Sequence, residues 1–422
     1  MAGKAFMRAY EDIYEYLCGL TIIDAHEHFK PERDHLSKRF DFSWLFQYVH
    51  GDLVSAGLKN FARFDGAAPS KEIWQQVKPY WQHVKHASFA TGVRMTIQEL
   101  IGEDDLRDGN IAAIDRALNA ANKPGLYKRL IQEQYGIERM ISSNGTRAIE
   151  KFAYTDKDYE VMSLIIGIAP PGDRAGCEYY EKATGLRMTN CESLQAVFEK
   201  LIRDAAADKG VVGFKTIACP IGEYDKKQAG AVLKLLLGKK YVTRAQQAVF
   251  NRFCTDTTMG VIRKLGYPVA VHCGYWDDFT ALDVVNWIGV VKRFADINFD
   301  LFHMSMPSTR EAGFVGKIFP NAHVNMCWSP LISQRMFESS VDEWLDLVPV
   351  NKVSAFGGDS IYLPQAVHGY LTMCRQSLAR VFAGRVEQGT MSLSDAKAIL
   401  KMWMYDNPKR LYAIGGHSTY FR

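Results

Sequence analysis

Eight short apolar runs punctuate the chain: "LTIIDAH" (20–26), "IERMISS" (137–143), "VMSLIIGIA" (161–169), "VVGFKTIA" (211–218), "YPVAVHCG" (267–274), "INFDLFHM" (297–304), "AHVNMCW" (322–328) and "KVSAFGGD" (352–359). Most carry little polar–apolar alternation, as expected of strands covered on both faces. Longer stretches between them place apolar residues at three- and four-residue steps. One is "SLQAVFEKLIRDAAADKG" (193–210), which ends on a glycine stop. Strand and helix alternating eight times predict an α/β fold, a (β/α)8 TIM-type barrel. A doubly wound open sheet would place a glycine-rich phosphate loop after its first strand, and "IIDAHEHF" (22–29) has no glycine there.

One interval breaks the rhythm. Residues 30–136 separate the first run from the second and read as several helices, with aromatic positions such as Trp44, Trp74 and Trp81. So long a connection is structured or functional. Barrel active sites sit where the strand-to-helix loops emerge, so this helical insertion after strand 1 reads as a cap over the site. An oligomerisation surface is its alternative use. The expected organisation is a single barrel domain over 1–422, with 30–136 inserted in it as the cap.

Composition narrows the partners. The 422 residues include 51 basic and 47 acidic side chains, a formal charge of +4, which makes no case for nucleic acid or an anionic membrane. A small-molecule substrate is expected, with homo-oligomerisation left open. Eight cysteines are scattered without a CxxC pair and read as reduced thiols. The first 20 residues carry acidic side chains where a signal peptide needs an apolar core, and no apolar run reaches about 18 residues. The expected location is cytoplasmic.

The polar residues at the ends of the runs carry the chemistry. His26 and His28 lie two apart, so on a strand both imidazoles face the same way. The fourth run carries Lys215, the fifth His272, the sixth His303, and the eighth ends in Asp359. Taken singly, each has an ordinary structural reading: a satisfied core histidine, a helix-capping aspartate, a solvated lysine. In a closed barrel their strand ends meet at one mouth. Imidazole and carboxylate ligands suit zinc, manganese or iron(II), with positions left open for water or substrate. Asp24, two residues before His26, is expected to brace a ligand imidazole. Trp276 and Trp328 are candidate pocket walls.

This order of residues resembles the amidohydrolase superfamily, with HxH on strand one, His on strands five and six and Asp on strand eight. "GGDS" after strand eight and "NPKRLYAI" near the terminus are similar to the amidohydrolase-2 branch, which includes small-acid decarboxylases and hydrolases. "WLFQYV" and "KHASFATGVRM" are distantly similar to the uronate isomerases. The resemblance implies that His26, His28, His272 and Asp359 hold one divalent metal, with zinc the first choice and manganese or iron the alternatives. Asp359 would then act as proton shuttle and His303 on the substrate or the metal-activated water. In two-metal relatives a strand-four lysine is carbamylated and bridges the ions. Lys215 is therefore either that bridge to a second metal or a substrate-binding ammonium, and the one-metal reading is preferred. The expected activity is metal-dependent hydrolysis of a small polar molecule bearing a carboxylate. Uronate isomerase-like or nonoxidative decarboxylase chemistry on the same scaffold, or a non-catalytic metal-binding relative, are the alternatives.

Overall fold

The computed structural model describes residues 2–59, 69–145, 153–217, 224–276 and 278–415. Eight parallel strands form one sheet in sequential order: β1 (Ile22–Glu27), β2 (Ile137–Gly145), β3 (Met162–Gly167), β4 (Val211–Thr216), β5 (Val269–Val271), β6 (Phe299–Leu301), β7 (Ala322–Asn325) and β8 (Val353–Ser354). All eight predicted runs contain one strand each. The last strand and the first are joined through the residues that follow β8. Ala25 N donates to Phe356 O at 2.9 Å, Asp359 N to His26 O at 2.8 Å, and His28 N to Ser360 O at 3.0 Å. The architecture is the (β/α)8 barrel.

The runs form strands because both faces are buried. Inside the barrel, Ile23, Ile141, Ile165, Ala270 and Phe302 pack together with Tyr412 from the C-terminal segment. Outside, residues such as Ile22, Met140, Leu164, Phe214, Val269 and Phe299 join the main core under the helical layer. The helices have clear start and stop signals. Asn190 and Thr243 close capping boxes before Cys191–Ala206 and Arg244–Leu265, and Gly266 ends the latter in the left-handed conformation.

Between β1 and β2 the described residues form helices at Glu32–Leu36, Val49–Ser55, Ser70–Val84, Ser88–Ile101 and Ile111–Ala121. Residues 60–68 of this interval lie outside the described residues. Trp44, Trp74 and Trp81 are buried and belong to the same core as the barrel's outer layer. The indole N–H groups of Trp74 and Trp81 donate to Asp108 and Asp105 at 2.7 Å each, which satisfies their one polar atom.

Six strands, β3 to β8, end short of their runs, and in three of them the shortfall moves a candidate site residue off the strand. The β6 run reaches 304, yet the strand stops at Leu301, and His303, Met304 and Ser305 take φ values of 62°, 52° and 52°. The β8 run reaches 359, yet pairing stops at Ser354 and Asp359 has φ 55°. β5 stops at Val271, one residue before His272. The polar residues expected at strand ends therefore sit on turns just beyond them. The seven described cysteines are free thiols, and Cys219 lies outside the described residues. No described helix is long and apolar enough to cross a membrane.

Candidate metal centre

The C-terminal ends of the strands bring the predicted residues to one point. His26 Nε2, one nitrogen of His303 and one oxygen of Asp359 lie within 4.8 Å of one another, and all three residues are buried. His26 Nε2 is 3.4 Å from Asp359 Oδ1, His28 Nε2 is 3.2 Å from the same oxygen, and His303 Nε2 is 3.8 Å from Oδ2. His272 lies one step further out, with its Nδ1 3.0 Å from His303 Nε2 and no partner on its own buried Nε2. Lys215 is buried against the group, its Nζ 2.8 Å from His26 Nε2 and 4.6 Å above the Phe302 ring.

Backbone carbonyls decide which ring atoms face inward. His28 Nδ1 donates to Ser143 O at 2.9 Å and His303 Nδ1 to Cys327 O at 3.1 Å. With the proton on Nδ1, each Nε2 presents a lone pair to the Asp359 carboxylate. Burial holds His26 well below the usual imidazole range, with Lys215 adding to the effect, and brings His303 down to about 4. The His26 and His303 rings are therefore neutral. Burial alone would raise Asp359, but His26, His28 and His303 outweigh it and keep the carboxylate ionised. Burial also lowers Lys215 to about 8. His26 Nε2 has the Lys215 ammonium beside it and His303 Nε2 has His272 Nδ1, so acceptors meet most closely where His28 Nε2 stands 3.2 Å from Asp359 Oδ1, a contact that a cation would satisfy. The donor set fits a divalent metal held by imidazole and carboxylate.

The turn after β8 is built for this approach. A Cβ on Gly357 would lie 2.6 Å from Cys327 Cβ and 2.8 Å from His26 N, and one on Gly358 would lie 2.3 Å from Glu27 Oε1. Only glycines let this turn press against β1 and deliver Asp359 beside His26 and His28.

No protein-family model matches the chain. Over 242 residues, 53% of its length, it is 24% identical to protein fluG of Emericella nidulans, and it spans 28% of that protein's length. Two crystal structures match almost end to end. Glucuronate isomerase from Caulobacter crescentus is 14% identical, with 99% of this chain and 96% of that one covered and a TM-score of 0.79. Uronate isomerase from Thermotoga maritima is 15% identical, with 96% and 97% covered and a TM-score of 0.76. The chain shares the fold of these two isomerases.

Several residues near the centre had no clear mark in the sequence. Tyr48, from the segment between β1 and β2, donates its hydroxyl to Asp359 O. Gln47 beside it accepts from Ile361 N at 3.0 Å and donates to Tyr370 at 3.3 Å. Glu27, between the two histidines, is fully buried, and its Oε2 accepts from Ser360 N at 2.5 Å. Asp24 departs from its expected role. Its Oδ1 accepts from the His26 backbone N at 3.1 Å, and its side chain meets Glu27, not an imidazole. The cause is a register shift in β1: Asp24 pairs with Met140 and Glu27 with Ser142, so one strand spends three steps where the other spends two. That irregularity turns Asp24 to Glu27's side. Burial raises both carboxyl groups, Asp24 to about 7 and Glu27 well above its normal range, where Asp24 reinforces the effect.

Trp328 completes the wall beside His303, with ring centroids 5.3 Å apart, and has φ 62°. His303, Trp328 and Asp359 are thus three non-glycine residues in the left-handed region around one point. Such strain costs about 1–3 kcal/mol each and gathers at functional sites.

Proposed function

We propose that this chain is a metal-dependent enzyme acting on a small carboxylate-bearing molecule, and that it hydrolyses that molecule. The observation that carries this reading is the meeting of His26, His28, His303 and Asp359, whose imidazole nitrogens and carboxylate oxygens gather at one buried point. His26, His28 and Asp359 would hold one ion as expected, but the fourth place passes from His272 to His303, which lies nearer the carboxylate, with His272 beside it to ligate or to orient His303. Zinc, manganese or iron(II) suits the set. Bound there, the ion supplies Lewis-acid polarisation and a nucleophilic water at neutral pH.

The chain's own residues do the rest. Asp359, kept ionised, accepts a proton from water and passes it to the leaving group, a step typically worth about 10²–10⁴-fold. His28 and His303 are held in fixed orientation by the Ser143 and Cys327 carbonyls. Lys215 is placed to pair with the substrate carboxylate. A lysine serving in this way is not a carbamylated bridge, which keeps the proposal at one ion. Trp328, Phe89 and Tyr48 pack together at the mouth and keep bulk water from the centre. The segment between β1 and β2 acts as the cap, since Tyr48 reaches Asp359 itself.

Isomerisation of a uronate is the second reading, favoured by the end-to-end likeness to two such isomerases. Fold alone does not choose the reaction. The test begins with metal analysis of the purified chain, where an absence of bound metal after reconstitution would refute both readings. Metal-loaded protein is then offered carboxylate-bearing esters, lactones and amides in ¹⁸O-water, and hexuronates in deuterium oxide. Label in a product carboxylate supports hydrolysis, and deuterium at the carbon next to the carbonyl supports isomerisation.

A further inference from the structure

Beyond β5, next to His272, two large aromatic side chains stay open to solvent: Tyr275 is 40% exposed and Trp276 51%. They begin a continuous aromatic surface. Trp276 stands 6.5 Å from the His272 ring and 5.9 Å from Trp328, Tyr275 stands 5.5 Å from Trp328, and Trp328 itself is buried against His303. Phe279 and Ile217 are exposed on the chain just after β5 and β4. Apolar surface of this size, continuous with a polar centre, is the form a ligand site takes.

The polar side chains described near the centre are mostly spent on the protein itself. Tyr48 bonds Asp359 O and Gln47 bonds Ile361 and Tyr370. Asn144 bonds Ser142 at 3.1 Å. What the described residues offer an incoming molecule is the Lys215 ammonium deep inside, the unpartnered His272 Nε2 and Trp328 Nε1, and aromatic faces at the rim. A polyhydroxylated open-chain acid would give up its water hydrogen bonds for few replacements there, and each unpaired hydroxyl costs binding. A flat ring loses nothing of that kind and stacks on indole and phenol.

We propose that the substrate of this site joins its carboxylate to a flat apolar ring, the carboxylate directed inward toward Lys215 and the ring lying on Trp276 and Tyr275. This rests on the metal-dependent reading above and narrows its substrate class to aryl carboxylates over sugar acids. The probes are benzoate and D-glucuronate, titrated into the metal-loaded full chain and followed by calorimetry, with metal content measured on every sample. Benzoate is expected to bind at least about tenfold more tightly than glucuronate. Trp276→Ala should weaken benzoate about tenfold with metal content unchanged, and Trp276→Phe should restore most of it. Equal or tighter glucuronate binding, no binding of benzoate to metal-loaded protein, or an unaltered Trp276→Ala variant would each overturn the substrate class and leave the metal reading standing. A chain that takes up no metal defeats both.

Discussion

The two ends of this barrel treat polar atoms in opposite ways. At the end away from the metal centre, side-chain amides and ammonium groups spend themselves on backbone carbonyls. Asn321 Nδ2 donates to Val291, Phe294 and Ile297 at 3.0–3.2 Å, Asn407 Nδ2 to Val350 and Val353 at 2.8 Å, and Lys352 Nζ to Gly316 and Phe319. Tyr412 and Asn325 bond Asp300 inside the ring at 2.8 and 2.9 Å. At the other end, imidazole nitrogens crowd a carboxylate, His26 Nδ1, His272 Nε2 and Trp328 Nε1 have no partner, and five non-glycine residues, His303, Met304, Ser305, Trp328 and Asp359, hold positive φ. One end is assembled to close the fold. The other keeps capacity in reserve, and that reserve is what a ligand and an ion can use. In (β/α)8 barrels chemistry belongs to the C-terminal end of the strands and stability to the opposite end.

The largest effects should come from the unsatisfied end. His26→Ala is expected to abolish stoichiometric metal binding, read by elemental analysis, with only a small change in the thermal midpoint. Asp359→Asn should keep part of the metal and lose about 10²–10⁴-fold in turnover. Parent-like turnover in that variant would remove the proton-transfer role. The satisfied end should answer in reverse. Asn321→Ala removes two amide hydrogens shared among three carbonyls, of which Phe294 O keeps the Ile297 N–H, so a loss of about 2–4 kcal/mol in urea unfolding is expected, with metal content intact. If Asn321→Ala instead strips the metal, the division between the two ends fails.

Asp300 sharpens the contrast through pH. Burial raises its carboxyl from 3.8 to about 6, against the pull of Asn325 and Tyr412. Between these values the folded chain binds the proton that the unfolded chain has released. Its contribution is therefore complete below about pH 4 and fades as pH rises through about 6. The difference is worth at most roughly 2–3 kcal/mol, spread over two pH units. Asp300→Asn should flatten that part of the stability curve relative to the parent, measured by urea melts at pH 4.5 and 7. Identical slopes in the two proteins would show that Asp300 is already ionised at acid pH.

Most of the ring was legible because it is buried on both faces, which writes strands as unbroken apolar runs; the spacing of His26 and His28 likewise fixed a shared face. The turns were harder to read. Nothing in "DLFHM" or "FGGD" announces that His303 and Asp359 adopt a conformation usually left to glycine, since the surrounding packing imposes it. The misreading of Asp24 has the same origin: period-two reasoning assumes a regular ladder, and β1 breaks its ladder between Asp24 and Glu27. Tyr48 comes from a segment whose aromatic content signalled a core, while its position over Asp359 depends on how that segment docks.

Glu27 tests how far the reserved end depends on its own hidden support. Its carboxyl ties β1 to Ser360 N, one residue past Asp359, and lies against Asp24, which with burial favours its protonated form. Asp359 sits at positive φ between that bond and its own N–H bond to His26 O. Without the Glu27 tie the turn can relax and the carboxylate loses its fixed place. Glu27→Ala is therefore expected to weaken metal binding by roughly tenfold, an effect typical of groups that orient ligands, measured by competition with a chelator. Glu27→Gln is the informative partner. Its amide oxygen accepts from Ser360 and its NH₂ donates to Asp24, so it reproduces the protonated acid and should bind metal almost as the parent does. Should Glu27→Gln fail as badly as Glu27→Ala, the carboxylate would be working as a charge, not as a tether, and the account of how Asp359 is held would have to be rebuilt.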